Sequence, residues 1–186
     1  AAVNPSAKGS SSYLLYKQSN YQPSLQANSQ SDWEWNNNQN DWQAGGVSNG
    51  GGEGWQVVVG VAGATIYETG AVTGHRMLVN GSVVGVSAYA VDMSQSPTYN
   101  YIFQREDSDF FSGDVGEILV FSSALSDADI KLVEEYLYSK WIGGSLPSNL
   151  KRFPDEVPTG APSLPVTANL NFHLDAEVLL PTADSA

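Results

Sequence analysis

Short runs of β-branched and aromatic residues, separated by Gly, Asn and Ser, dominate the first 121 residues. Residues 55–61 form a Val-rich run, which is typical of a buried strand. Asn80-Gly81 separates two further runs, and both residues tolerate the positive φ angles of a tight hairpin turn. The pattern predicts about six or seven strands. They fall at residues 11–17, 33–35, 55–61, 76–79, 82–86, 99–103 and 116–121.

One amphipathic helix follows these strands. Ser126 can cap its N-terminus, with Asp129 at the capping-box position. Apolar residues then recur at spacings of three and four, and Gly143-Gly144 end the helix. We expect about four turns that cover one end or edge of a β-sandwich. The apolar stripe comprises Ile130, Val133, Leu137 and Trp141.

The segment after the helix changes character. Residues 144–168 contain five of the nine prolines and predict an extended, semi-rigid linker. Residues 168–176 predict one more strand, in which Leu170, Phe172 and Leu174 alternate with polar residues. One side of this strand should face a core, but no core remains nearby in the sequence to receive it.

Composition narrows the possible functions. The 186 residues are enough for one domain with a tail. The absence of cysteine excludes a disulfide framework, a thiolate metal site and a cysteine nucleophile. The net charge of −12, with only eight Lys and Arg, leads us to expect no nucleic-acid partner. No run of about 18 apolar residues is present, so we expect no membrane insertion.

Several of these segments resemble a known family. Residues 55–59 and 76–85 are similar to the paired central strands of laminin-G-like domains, members of the concanavalin-A-like lectin and glucanase superfamily. Residues 111–130 continue the likeness, which covers about residues 1–143. It implies an all-β fold, namely an antiparallel two-sheet jelly-roll sandwich with one late α-helix and an extended Pro-rich C-terminal tail. It also implies an extracellular or cell-surface location.

The family's opening strand has no counterpart at the start of this sequence. Residues 1–5 resemble the middle of a later strand, whereas residues 171–176 resemble the opening strand itself. Three arrangements of the segment 169–186 follow. It begins the next repeat of a tandem protein, it is donated to a neighbouring copy, or it folds back through the linker onto its own sandwich. In the first arrangement the partner is a tandem repeat, and in the second it is another copy in a homo-oligomer or polymer.

A catalytic centre is hard to build from these residues. Glycoside hydrolysis needs two carboxylates about 5–10 Å apart. The acidic residues of 106–109 fall in a predicted loop, and Glu117 is alone on its predicted strand. His75 and His173 lie in no nucleophile motif. We therefore predict that the protein is not an enzyme.

Acidic residues cluster before the last strand that precedes the helix. Calcium binds carboxylates and carbonyls, and laminin-G-like and lectin folds often hold it at an edge of the sandwich. The cluster is either such a calcium site or a solvated acidic loop, and the loop is the simpler interpretation. Its members are Glu106, Asp107, Asp109 and Asp114.

Residues 28–54 are rich in tryptophan and side-chain amides. Aromatic faces stack on sugar rings and amides bind hydroxyls, so this segment can form a polysaccharide-binding surface. The tryptophans can also pack between sheets or at a protein interface, and we favour this interpretation. The candidate residues are Trp33, Trp35, Asn37 and Trp42.

Together these features predict a non-enzymatic extracellular module. It would be a surface or filament-forming adhesion component that self-assembles through its C-terminal strand. The alternative is a carbohydrate-binding, lectin-like module of a larger secreted protein.

Overall fold

The computed structural model describes residues 1–5, 12–17, 24–27, 33–36, 54–66, 72–87, 100–104, 110–146 and 167–175. Most of these residues belong to ten strands and one helix. The strands are β1 (Ala2–Pro5), β2 (Ser12–Lys17), β3 (Ser24–Ala27), β4 (Trp33–Asn36), β5 (Gln56–Ile66), β6 (Val72–Val79), β7 (Ser82–Ser87), β8 (Asn100–Ile102), β9 (Gly113–Phe121) and β10 (Leu170–Asp175), and the helix is α1 (Asp127–Trp141). Every predicted strand is present, whereas β3 was not predicted.

The strands form two sheets. The larger sheet has the order β10-β9-β1-β5-β6-β7, and the smaller has the order β4-β3-β2-β8. All of the described pairings are antiparallel. The described residues thus form an all-β sandwich of two antiparallel sheets with a single helix.

A core of apolar side chains lies between the sheets. Val58 of β5 and Leu14 of β2 are both fully buried there. Val57 is also buried, but it packs under the helix, because successive side chains of a strand point to opposite faces. Burial on both faces explains the continuous Val-rich run of β5. The inter-sheet core comprises Val3, Leu14, Leu25, Trp33, Val58, Met77, Val79 and Ile118.

The helix covers the outer face of the larger sheet. Val133 and Leu137 pack there with Ala2 and Val57, and Ile130 packs with a neighbouring buried group from β5 and β6. The predicted apolar stripe is confirmed. The predicted position at an end or edge of the sandwich is wrong, because strands of the larger sheet present apolar side chains on both faces and the outer face requires a cover.

Both ends of α1 follow the predicted signals. The backbone N–H of Asp129 donates to Ser126 Oγ at 3.1 Å, which is the expected N-terminal cap. At the other end, Gly143 has a φ of +90°, and its N–H donates to Tyr138 O at 2.9 Å. Among the described residues, no helix has the length and apolar character needed to span a membrane.

The predicted hairpin turn joins β6 and β7. Asn80 and Gly81 have φ angles of 48° and 82°, as the turn requires. The turn is also fixed to β5, since Val57 N donates to Asn80 Oδ1 at 2.8 Å and Asn80 N donates to Val57 O at 2.8 Å.

The C-terminal strand β10 lies at the edge of the larger sheet, beside β9. Leu174 pairs with Ile118, and His173 pairs with Leu119. Leu174 packs against the inter-sheet core, so the expected apolar side of this strand does face a core. This is the third of the three arrangements, in which the strand returns to its own sandwich. The strand β9, which ends more than forty residues before β10 begins, thus provides the pairing partner that the neighbouring sequence lacks.

Candidate functional site

A buried carboxylate lies on the face of β9 that is turned to α1. Glu117 is fully buried. It accepts hydrogen bonds from the Tyr136 hydroxyl, at 3.1 Å and 3.2 Å, and from Trp141 Nε1, at 3.1 Å. Burying a carboxylate without hydrogen bonds is very costly. The hydrogen bonds from these two helix residues therefore offset the cost of burying the Glu117 carboxylate.

A cation accompanies the carboxylate. Lys140 Nζ lies 3.3 Å from Glu117 Oε2 and 3.3 Å from the Tyr136 hydroxyl oxygen. It also lies over the rings of Tyr136 and Trp141, at 5.6 Å and 5.2 Å from their centroids. Lys140 follows Tyr136 by four residues and so lies on the same side of the helix. One end of α1 thus brings two neutral donors and one positive charge to a single carboxylate.

His173 adds a contact from the C-terminal strand. Its Nε2 lies 2.7 Å from Glu117 Oε1. Because a carboxylate accepts hydrogen bonds, Nε2 is the donor in this contact. About a third of the His173 side chain, 34%, remains exposed. We refer to Glu117, Tyr136, Lys140, Trp141 and His173 together as the Glu117 cluster.

Trp141 is held in place by close packing. A Cβ atom on Gly116 would lie 2.5 Å from Trp141 Cδ2, so the indole can come this close only to glycine. The ring of Trp55 stacks on the indole, with centroids 5.4 Å apart and an interplanar angle of 27°. This packing fixes the direction in which Trp141 presents its N–H to Glu117.

The surroundings of Tyr136 keep its hydroxyl protonated. Burial raises the pKa of Tyr136, and the neighbouring charge of Glu117 raises it further, against the opposing effect of Lys140. The protonated hydroxyl is the form that donates to Glu117.

The Glu117 cluster couples the docking of β10 to a buried charge. Glu117 belongs to β9, three of its partners belong to α1, and the fourth belongs to β10. When β10 leaves the sheet, Oε1 keeps its contact with the Tyr136 hydroxyl but loses the donor that His173 provides. The Glu117 cluster thus connects β9, α1 and β10, and it stabilises β10 in its docked position.

Two other polar contacts attach α1 to the larger sheet. Glu134 is fully buried and accepts a hydrogen bond from Gly81 N at 3.1 Å. Arg76, also buried, forms a hydrogen-bonded ion pair with Asp127 in the first turn of the helix. These contacts hold the helix over β6 and its hairpin.

The tryptophan candidates are only partly described. Trp33 is 1% exposed, lies in the inter-sheet core, and donates from Nε1 to Gln56 Oε1 at 2.6 Å. At this exposure neither face of the indole is available to a ligand, so Trp33 packs between the sheets, as in the interpretation favoured for the tryptophans. Trp35 lies in β4, but its side chain is outside the described residues, as are Asn37 and Trp42.

The calcium candidates fall mostly outside the described residues, namely Glu106, Asp107 and Asp109. The fourth, Asp114, is exposed at the start of β9 and accepts a hydrogen bond from Asn4 Nδ2 at 3.1 Å. Within the described ranges, no group of three potential ligands comes together. The calcium site stays a prediction.

The assembly candidates all lie in β10. Leu174 packs against the inter-sheet core, and Leu170 is half-buried beside Phe121. Phe172 pairs with Val120 and is 36% exposed. The strand therefore carries both an apolar anchor and an exposed aromatic ring.

Sequence reasoning missed the Glu117 cluster. From the sequence alone, Glu117 is a lone carboxylate on its strand and unsuited to catalysis. Two signals were available, namely a charged residue inside the apolar run of β9 and Tyr136, Lys140 and Trp141 together near the helix C-terminus. Neither signal indicates that the two segments meet.

Comparisons of this chain with protein-family models, with curated proteins and with solved structures found no match.

Proposed function

We propose that the protein is an extracellular structural module that self-assembles by exchanging its C-terminal strand between copies. In each copy β10 would leave its own sheet and pair with β9 of a neighbour. The observation that carries the proposal is the position of β10, which is an edge strand held by one ladder and by the Glu117 cluster.

The energetics permit exchange. A strand that docks on a neighbouring copy makes the same ladder, the same apolar contact of Leu174 and the same His173–Glu117 contact as in its own sheet. Exchange of an identical element therefore costs little beyond the association itself. The exposed ring of Phe172 also marks this edge as one that favours pairing with another chain.

The linker has the length that exchange requires. Residues 144–168 are rich in proline, and such a segment would span roughly 75 Å if extended at about 3 Å per residue. This distance exceeds the width of a domain of this size, since a chain of 186 residues has a radius of gyration of about 16 Å. A strand on this linker can therefore reach its own sheet or a neighbour's.

The extracellular setting and the jelly-roll topology rest on the resemblance to laminin-G-like domains. The two-sheet antiparallel sandwich is compatible with that resemblance. The net charge of −12 adds solubility to an exposed module and disfavours nucleic-acid partners.

A reversible lock on the strand tests the proposal. The chain has no cysteine, so Val120→Cys together with Phe172→Cys introduces a single possible disulfide. These residues pair directly, and the Cα separation of antiparallel pairs, about 4.5–5.5 Å, suits a disulfide. The lock would be formed at low protein concentration, where each strand occupies its own sheet.

Solution mass is then measured by sedimentation after concentration. We expect the unmodified chain to form dimers or larger species and the oxidised locked chain to remain monomeric, with assembly restored by reduction. Equal masses for the oxidised, reduced and unmodified proteins would contradict strand exchange.

A further inference from the structure

We infer that Glu117 determines which strand the edge of β9 accepts, by requiring a hydrogen-bond donor, here His173, at one register position. This inference rests on the proposed strand exchange and names its specificity. The partner it defines is the segment 170–175 of a second copy, with the pattern apolar–His–apolar at Phe172, His173 and Leu174.

The two faces of β10 meet different surroundings. Leu174 packs against the apolar inter-sheet core, whereas His173 contacts Glu117 on the helix side of the larger sheet. Alternation along the strand produces this division. The acceptor edge therefore demands an apolar side chain on one face and a hydrogen-bond donor on the other, at adjacent positions.

The helix leaves one oxygen of Glu117 turned to the strand. Trp141 Nε1 and Lys140 Nζ both donate to Oε2, while His173 Nε2 lies against Oε1. The Tyr136 hydroxyl is shared between the two oxygens. An incoming strand thus meets a carboxylate that is already fixed in position.

A shift of register by one residue reverses the faces of the strand. Leu174 or Phe172 would then lie on the helix side with Glu117, and His173 would enter the apolar core. The buried carboxylate would then lose one of its two donors at Oε1 without a replacement, which disfavours the shifted strand. The Glu117–His173 contact therefore selects both the register and the sequence of the docked strand.

A competition between two peptides tests this selection on the full-length chain. The acceptor is the Val120→Cys chain, and both peptides cover residues 167–175 with Phe172→Cys, one of them also with His173→Leu. Equal amounts compete in a thiol–disulfide buffer, and intact mass resolves the two adducts. Each peptide must displace the same resident strand, so the ratio of adducts reports selectivity alone. A peptide with Asn171→Ala, at an exposed position of the same strand, is the matched control.

We expect the His173 peptide to be captured about tenfold more than the His173→Leu peptide. The Asn171→Ala peptide should be captured as well as the peptide without that change. When urea unfolds the acceptor chain, all adduct ratios should become one. Equal capture of the His173→Leu peptide by the folded chain would overturn this inference while leaving strand exchange intact. Capture of every peptide at no more than the level found in urea would overturn strand exchange, and this inference with it.

Discussion

His173 Nε2 on the C-terminal strand lies 2.7 Å from the buried carboxylate of Glu117, which precedes it by 56 residues. This contact joins β10 to the buried charge of Glu117, which residues of α1 also stabilise. The stability of the helix, of β9 and of β10 should therefore depend on the same carboxylate.

Replacing this carboxylate tests that dependence. Glu117→Gln keeps the shape of the side chain but removes the charge opposite Lys140, which is itself largely buried. Breaking a buried ion pair on one side costs about 3 kcal/mol or more. We expect a loss of that size in the free energy of unfolding, measured by urea denaturation.

The control is Asp114→Asn on the same strand. Asp114 is exposed and accepts a hydrogen bond from Asn4, so its replacement should change the free energy of unfolding by less than about 1 kcal/mol. Equal effects of the two substitutions would contradict the special role of Glu117.

The packing of Trp141 gives a second prediction. In Gly116→Ala the new methyl group would lie 2.5 Å from the indole, so Trp141 must move away from Glu117 and Trp55. Overpacking of this kind costs about 1–3 kcal/mol. We expect that loss in urea denaturation, with a shift in tryptophan emission.

A double-mutant cycle provides the control for this effect. With Trp141→Leu already present, Gly116→Ala should cost much less, because the ring that it displaces is gone. An unchanged cost in the Trp141→Leu background would show that the clash is not with Trp141.

His75 predicts a pH dependence of stability. It is 4% exposed and lies on the same face of β6 as Met77, towards the inter-sheet core. Within the described residues its Nδ1 has no hydrogen-bond partner. Burial lowers the pKa of His75 from its ordinary value of 6.5, so the unfolded chain binds this proton at a higher pH than the folded chain does.

The stability that His75 contributes to the free energy of unfolding is fully present above pH 6.5. It is lost as the pH falls below that value, until the folded state also binds the proton. We expect His75→Asn to flatten the dependence of the free energy of unfolding on pH in this window. The carboxylates are common to both proteins, so parallel pH profiles for the wild-type and His75→Asn chains would contradict the assignment.

Features set by neighbouring residues could be predicted from the sequence. The hairpin at Asn80-Gly81 and the cap at Ser126 each depend on local backbone preferences, and both are present. The alternation of β10 likewise placed Leu174 on the side that faces a core.

Features that depend on distant pairing could not be predicted in this way. The adjacency of β9 and β10 and the cover that α1 gives to the outer face both result from tertiary packing. Nothing in the sequence distinguishes the adjacent residues Phe110, which is 60% exposed, and Phe111, which packs against the core.

Hydrogen exchange of the backbone amides, followed by mass spectrometry, tests the central claim that β10 is a docked strand able to leave its sheet. We predict that residues 170–175 are protected, but that they open at a lower free energy than β1 and β5 in the centre of the sheet. Exchange of residues 170–175 at the rate of an unfolded chain would contradict docking. Opening of these residues only together with the whole sheet would contradict release of the strand.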